Sequence, residues 1–295
     1  MRHSTPDRRT VADLLATARV RLSAGAYPER AREDAERLLL HIVQQHDPER
    51  NKAWLIANRA SVLLPQTEGR VNAVVERRAI GEPIQYITGE AEFYGLPFRV
   101  TSDVLIPRPE TEHLVEKALD LAASLPAPRI VDVGTGSGCI AIAIAHCLPL
   151  AQITAIDLSA PALAIARQNA KRNGVSSQIR FLHGDLLAPV AQEQFEIVVS
   201  NPPYVPLADR AALAVEIRDH EPALALFAGD DGLDIFRRLI PAAVAALIPG
   251  GFLLLEIGHG QSAAVAALLA ASGFGRIEFI PDLQSIPRVA CAQRP

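Results

Sequence analysis

Beyond residue 107 the chain alternates five short apolar runs with helical segments, a pattern that few folds accept. RIVDV (129–133), QITAID (152–157), QIRFL (178–182), FEIVVS (195–200) and GGFLLLEI (250–257) are mostly continuous in apolar residues, and segments such as CIAIAIAHCL and APALAIARQNAKRNG lie between them. A strand that is apolar on both faces has to be covered on both. Helical crossovers between parallel strands supply that cover, so the pattern predicts a parallel sheet between two helical layers. Two later runs, RIEFI and RVACAQR, flank a segment bounded by Pro281 and Pro287 that is too short for a crossover, which predicts an antiparallel edge pair.

The first part of the chain has a different period. Val11, Leu14, Leu15 and Ala18 form one stripe, Leu38, Leu39, Ile42 and Val43 a second, and Val71, Val74 and Val75 begin a third. Spacings of three and four predict amphipathic helices, with Thr10 and Asp13 as an N-terminal cap and Pro28, Pro48 and Pro65 as breaks. Trp54 and Leu55 are expected in the core of this helical region. Between Gln85 and Ile106 the sequence turns β-branched and aromatic, which predicts a hairpin turning at Gly95-Leu96-Pro97. Pro107 and Pro109 then open a helix whose positive end suits Glu110 and Glu112. The expected organisation is a helical domain at 1–84, a hairpin linker at 85–106 and a catalytic domain at 107–295.

Charge limits the partners. The chain carries 29 basic and 33 acidic side chains, a net charge of −4, without the cationic footprint of a protein that grips duplex DNA. Residues 1–88 hold 14 basic and 11 acidic groups, and residues 89–295 hold 15 and 22. Any anionic partner would therefore meet the helical domain, the alternative being a solvated helical surface, and no sequence-specific nucleic-acid contact is expected. Cys139, Cys147 and Cys291 are odd in number and show no C-x-x-C spacing, which argues against a disulfide framework or a cysteine zinc site, and no metal is expected. The opening MRHSTPDRRT is charged and lacks the apolar core of a secretory signal. The uncharged stretches 133–156 and 239–255 are broken by glycines and prolines and read as strand plus helix, not as membrane spans. A cytoplasmic protein is the expectation.

The first parallel strand runs into Gly134-Thr135-Gly136-Ser137-Gly138. In an open α/β sheet, ligands bind beyond the carboxyl ends of the strands, and glycines there let the backbone approach closely. The spacing fails the dinucleotide fingerprint, because Gly138 comes one residue early, and no Gly-Lys-Ser/Thr follows to make a phosphate loop. Asp157 ends the second strand, where a carboxylate accepts from ribose hydroxyls; the alternative is a helix cap, a task Ser159 is equally placed to perform. Asp185 follows the third strand with Leu186, as an acceptor for an exocyclic purine amine or as a solvated loop carboxylate. A nucleoside without a polyphosphate fits these positions, and S-adenosyl-L-methionine is one.

The fourth strand ends in Ser200-Asn201-Pro202-Pro203-Tyr204. The prolines fix φ and remove two donors, leaving carbonyls as acceptors. The Asn201 side-chain carbonyl and the Pro202 main-chain carbonyl can accept both N–H bonds of one planar –NH2, with Tyr204 stacked on its face. The alternative is an ordinary proline turn. His220, between Asp219 and Glu221, reads as a solvated loop histidine.

This tetrad after a Gly-x-Gly-x-Gly turn resembles the amino-methyltransferases. With Gly81-Glu82-Pro83-Ile84-Gln85-Tyr86-Ile87-Thr88-Gly89, Phe93-Tyr94-Gly95-Leu96, Leu105-Ile106-Pro107-Arg108-Pro109-Glu110-Thr111-Glu112, Glu221-Pro222 and Gly229 to Leu233, the chain is similar to the peptide chain release factor N5-glutamine methyltransferases, the HemK/PrmC family. The resemblance implies a seven-stranded class I S-adenosylmethionine-dependent methyltransferase sheet with a small all-helical N-terminal domain and a linking β-hairpin. It implies methylation of the glutamine in the Gly-Gly-Gln motif of class I release factors. It would assign Gly134 to Gly138 to the methionine end of the cofactor, Asp157 to the ribose, and Asp185 and Leu186 to the adenine. Asn201, Pro202, Pro203 and Tyr204 would hold the amide, while Phe93 and Arg108 would wall the pocket. One departure stands at Ser285, where the family more often has a glycine. The rival reading within methyl transfer is an N6-adenine nucleic-acid enzyme, since adenine also offers a planar –NH2. A nicotinamide oxidoreductase and a silent cofactor binder are weaker rivals, opposed by the failed fingerprint and the complete tetrad.

Overall fold

A computed structural model describes residues 9–295, so most of the charged opening segment lies outside the described residues. The chain divides into two compact units: the chain up to Gly89 with Ala214–His220, and Glu90–Leu213 with Glu221–Pro295.

The smaller unit is helical, with helices Val11–Ser23, Ala31–Gln44, Lys52–Ala57, Pro65–Ala79 and Ile84–Thr88. The first begins with a capping box, in which the Thr10 hydroxyl accepts from the Asp13 N–H and Asp13 accepts from the Thr10 N–H, leaving two orphan donors satisfied. All three predicted stripes face inward: Val11, Leu14, Leu38, Leu39, Val71 and Val75 are buried. Leu55 is buried as expected, whereas Trp54 is half-buried beneath the Arg50 guanidinium, 4.4 Å from the ring centre. The returning segment Ala214–His220 is fixed by Arg78, whose side chain is 1% exposed. Arg78 donates to Asp34 at 2.6 Å and to Glu216 at 3.0 Å, and lies over the Tyr27 ring, while the Tyr27 hydroxyl accepts from the Glu216 N–H.

Residues 85–88, read from the sequence as the start of the hairpin, instead join Ile84 in a helical turn that buries Ile84 and Ile87 and ends at Gly89 in the left-handed region. The hairpin is shorter than expected, β1 Glu90–Phe93 and β2 Leu96–Arg99. Its turn lies at Tyr94-Gly95, with φ of 53° and 70°, not at Gly95-Leu96-Pro97. Two consecutive positive φ values match the twist of antiparallel strands, and that leaves Leu96 and Pro97 in the ladder.

The larger unit contains the predicted sheet. Its strands are β3 Arg129–Val133, β4 Gln152–Asp157, β5 Ile179–His183, β6 Phe195–Ser200, β7 Leu247–Glu256, β8 Gly275–Pro281 and β9 Pro287–Gln293, in the order β5-β4-β3-β6-β7-β9-β8. The first five are parallel, and β9 and β8 complete an antiparallel edge. Alternate residues of β3 feed opposite cores: Ile130 packs with Leu114, Val115 and Ile142 on one face, and Val131 and Val133 pack with Phe236, Leu239 and Ile240 on the other. Pro241, read as a break, lies inside the helix Asp234–Ala246, and β7 starts at Leu247, before the expected Gly250. Ser285 has φ of 64°, the left-handed conformation a glycine adopts without strain, and Asp282 holds the turn by accepting from the Gln284 and Ile286 N–H groups. Among the described residues, no helix is long and apolar enough to cross a membrane.

Candidate active site

β3 and β6 are neighbours in the sheet, so the glycine turn and the Asn-Pro-Pro-Tyr tetrad emerge side by side at its carboxyl edge. The Ser200 hydroxyl ties the two ends by donating to the Val133 carbonyl at 2.6 Å. Between them opens a cavity of about 260 Å³, lined by Gly134 to Ser137, Asp157, Asp185 and Leu186, with Arg108, Thr111 and Asn201 to Pro203 around it.

Gly134, Gly136 and Gly138 all have positive φ, which only glycine adopts freely. At Gly134 a Cβ would meet nothing within 4 Å, and at Gly138 one would lie 2.9 Å from Ile142 and 3.2 Å from Ala166. Gly134 is thus required for its conformation and an open approach, while Gly138 also lets helix pack on strand. Thr135 and Ser137 are nearly fully buried; the Thr135 hydroxyl donates to Asp132 at 2.6 Å, and the Ser137 carbonyl accepts from Asn169. They therefore present mainly backbone to a ligand. Asp132 lies beneath the turn with Oδ2 accepting from Thr135 and the Ala141 N–H, while Oδ1 has no hydrogen-bond partner. Burial lifts its carboxyl to about 7 against those two hydrogen bonds.

The Asp157 carboxylate accepts from the Gly136 N–H at 2.7 Å and the Ser159 N–H at 2.8 Å, while the Ser159 hydroxyl caps the next helix. The capping alternative thus falls to Ser159, and Asp157 braces the glycine turn with lone pairs left for a ligand. Burial raises its pKa, and the two N–H groups oppose that rise. Asp185, half exposed, is ion-paired with Arg238, another residue of the cavity wall. Leu186 has φ of 49°, a strained conformation for a non-glycine residue, at the point where it meets the cavity.

On the tetrad side, the Asn201 amide nitrogen donates to the Thr111 hydroxyl at 3.1 Å, leaving its carbonyl oxygen as the acceptor. Thr111 donates onward to Glu256 at 2.6 Å, and the Tyr204 hydroxyl donates to the other Glu256 oxygen at 3.1 Å. Burial and the adjacent Glu256 push the Tyr204 phenol upward, so it remains a donor. The Tyr204 ring packs against the core cluster that contains Phe236 and is not part of the cavity lining. The Tyr204 carbonyl accepts from Gln261, whose side chain also accepts from the Gly258 N–H. Arg108 reaches the rim and donates to buried Glu221 at 2.5 Å.

Phe93, expected in the pocket wall, is instead 2% exposed and packs edge-on against Phe98 in the core. As the last residue of β1 it falls on the inward face of the hairpin. Thr111, Glu256 and Gln261 were not legible as site residues. Thr111 lies within Leu105 to Glu112, a segment whose residue types give it no role by themselves, and the other two are separated from the tetrad by more than fifty residues of sequence.

The residues fit a nucleoside bearing an amino-acid chain: a glycine turn at which Gly134 leaves the approach open, and a carboxylate at Asp157 on the cavity wall. Residues 111–218 match the model of the Methyltransferase small domain, and residues 13–89 match the PrmC N-terminal domain. A release factor glutamine methyltransferase of Deinococcus radiodurans is 42% identical over 96% of this chain and 98% of its own length. Another, of Cereibacter sphaeroides, is 44% identical over the same shares. Among solved structures, the hMettl16 catalytic domain in complex with MAT2A 3'UTR hairpin 1 superposes with a TM-score of 0.56 at 17% identity, covering 87% of this chain and 90% of that one, a likeness of fold alone.

Proposed function

The chain belongs to the release factor glutamine methyltransferase family, and we propose that it methylates the side-chain amide N5 of the Gly-Gly-Gln glutamine in class I peptide chain release factors. The methyl donor is S-adenosyl-L-methionine, which supplies an electrophilic sulfonium methyl when bound. Gly134, Thr135, Gly136, Ser137 and Gly138 offer backbone to its methionine end, Asp157 accepts from the ribose, and Asp185 with Leu186 borders the adenine. The release factor works in translation, so the enzyme acts in the cytoplasm.

The observation that carries this reading is the orientation of Asn201. Its N–H is committed to Thr111, so a carbonyl oxygen faces the incoming amide. An amide nitrogen is a poor nucleophile because its lone pair is delocalised. Two acceptors, Asn201 Oδ1 and the Pro202 carbonyl, would hold the –NH2 in one plane and stabilise the positive charge that develops on nitrogen. Proline at positions 202 and 203 keeps those carbonyls from wandering. Orientation of this kind supplies roughly 7–11 kcal/mol of barrier lowering, enough that no strong base is required before the N–C bond forms. The proton leaves afterwards to water. Tyr204 closes the tetrad with its phenol on Glu256, and Arg108 and Pro203 border the substrate side.

The test is incubation with methyl-labelled S-adenosyl-L-methionine and a purified release factor, followed by peptide mapping. Label on the Gly-Gly-Gln glutamine is expected. Label on DNA adenine, or none on that glutamine, overturns the proposal.

A further inference from the structure

We propose that Thr111 and Glu256 are positioning residues that set which end of the Asn201 amide faces the substrate. The inference rests on the glutamine-methylating reading above and adds to it the device that polarises the acceptor.

An asparagine amide has two ends of nearly equal size and opposite function. Presenting the carbonyl attracts a substrate –NH2, and presenting its own –NH2 repels one. Nothing in the Asn201 backbone chooses between them, so the choice belongs to what the inner end touches. That group is the Thr111 hydroxyl, 3.1 Å from Nδ2. A hydroxyl donates one proton and accepts as well, so it polarises Asn201 only if its own proton is committed elsewhere. It is: Thr111 donates to Glu256 Oε2 at 2.6 Å. Glu256 Oε1 is filled by the Tyr204 hydroxyl at 3.1 Å, so both carboxylate oxygens act as acceptors. The chain of donation therefore runs one way, from Asn201 to Thr111 to Glu256. Thr111 is 1% exposed and Glu256 2%, so water does not scramble the direction. Burying a carboxylate is costly, and two hydroxyl donors with the charge of Arg288 nearby offset that cost only in part. Such a cost persists where the group sets something a neutral residue would not.

Three variants test this, each assayed against the wild type for release factor methylation, cofactor affinity and thermal melting. Thr111→Val keeps the shape and removes the hydroxyl; kcat is expected to fall about 10- to 100-fold with cofactor affinity nearly unchanged, while the melting temperature falls because buried Glu256 loses one of its donors. Thr111→Ser restores the hydroxyl and should return kcat to within about threefold of wild type. Glu256→Gln replaces one acceptor with a donor and should lower kcat like Thr111→Val. Wild type that leaves the glutamine unmethylated would sink the functional reading itself. Active wild type with Thr111→Val and Thr111→Ser equally active, or equally impaired, would sink only the positioning role, even if Glu256→Gln fails to fold.

Discussion

Asn201→Ala removes the side-chain acceptor and leaves the glycine turn intact. We expect kcat to drop by about two orders of magnitude with cofactor affinity largely kept, measured by steady-state kinetics and by titration with S-adenosylhomocysteine. Loss of cofactor affinity instead would make Asn201 a structural residue. Asp132 gives a second prediction, in stability. Its carboxyl is lifted to about 7 in the folded protein, so between roughly pH 4 and 7 the unfolded chain has released a proton that the folded one still holds. Stability contributed by that proton is full below pH 4 and falls as pH rises to 7, by an amount on the order of 4 kcal/mol if no ligand intervenes. Asp132→Asn should flatten that decline in urea melts across the window; an unchanged slope would show that the group does not titrate there. At this scale the sequence was informative where a residue's chemistry is local. Glycines that need positive φ and prolines that lock carbonyls announce themselves. Thr111, Glu256 and Gln261 do not, because a threonine, a strand-end glutamate and a glutamine are ordinary residues until the fold brings them to Asn201 and Tyr204.

The loop that carries the tetrad is shaped by what lies against it. Gly232 has φ of 74°, and a Cβ there would sit 2.2 Å from the Tyr204 carbonyl oxygen. Gly260 has a similar φ of 81° with nothing within 4 Å. Gly260→Ala should cost only the left-handed strain, about 1 kcal/mol, whereas Gly232→Ala should cost about 2–3 kcal/mol and lower kcat by displacing the tetrad. Melting temperature and turnover measured on both variants separate the two causes; equal effects would show that the contact with Tyr204 does not matter. The strands themselves were readable from period and composition, since continuous apolar runs leave few alternatives. The hairpin was readable in kind but misplaced in detail. Tyr94 adopting positive φ has no compositional signal, and residues 85–88 were drawn into the helical core by Ile84 and Ile87, a tertiary effect. The far end of the hairpin is held by buried Asn169, which accepts from the Arg99 N–H and donates to the carbonyls of Arg99 and Ser137. It couples the hairpin to the glycine turn from a position 70 residues beyond Arg99 and 32 beyond Ser137, outside any local pattern.

Over the whole molecule, the helical unit is discontinuous in sequence, since Ala214–His220 returns to it. No periodicity foretold that return; Arg78 explains it, as a buried cation that needs Glu216 as well as Asp34. Arg78→Met should destabilise the protein by about 3–5 kcal/mol in urea melts, because it strands the Asp34 carboxylate, and adding Asp34→Leu should recover much of the loss. No recovery in the double variant would place the value of the cluster in Glu216 instead. The uneven charge along the chain keeps its meaning: the excess of acid lies in the part that carries the site, consistent with a protein substrate rather than a polyanion. The hydrogen bond from Ser200 to Val133 fastens the end of β6 to the end of β3. The glycine turn and the tetrad, proposed to hold the methyl donor and its acceptor, ride on adjacent parallel strands, whose separation of about 4.8 Å is set by the backbone ladder and is the same whatever side chains they carry. The sheet thus works as a gauge block for the two reactants. On the proposed reading their spacing is inherited from main-chain geometry, so substitutions on the strands themselves should change the angle of approach and the polarity of the wall before they change the gap.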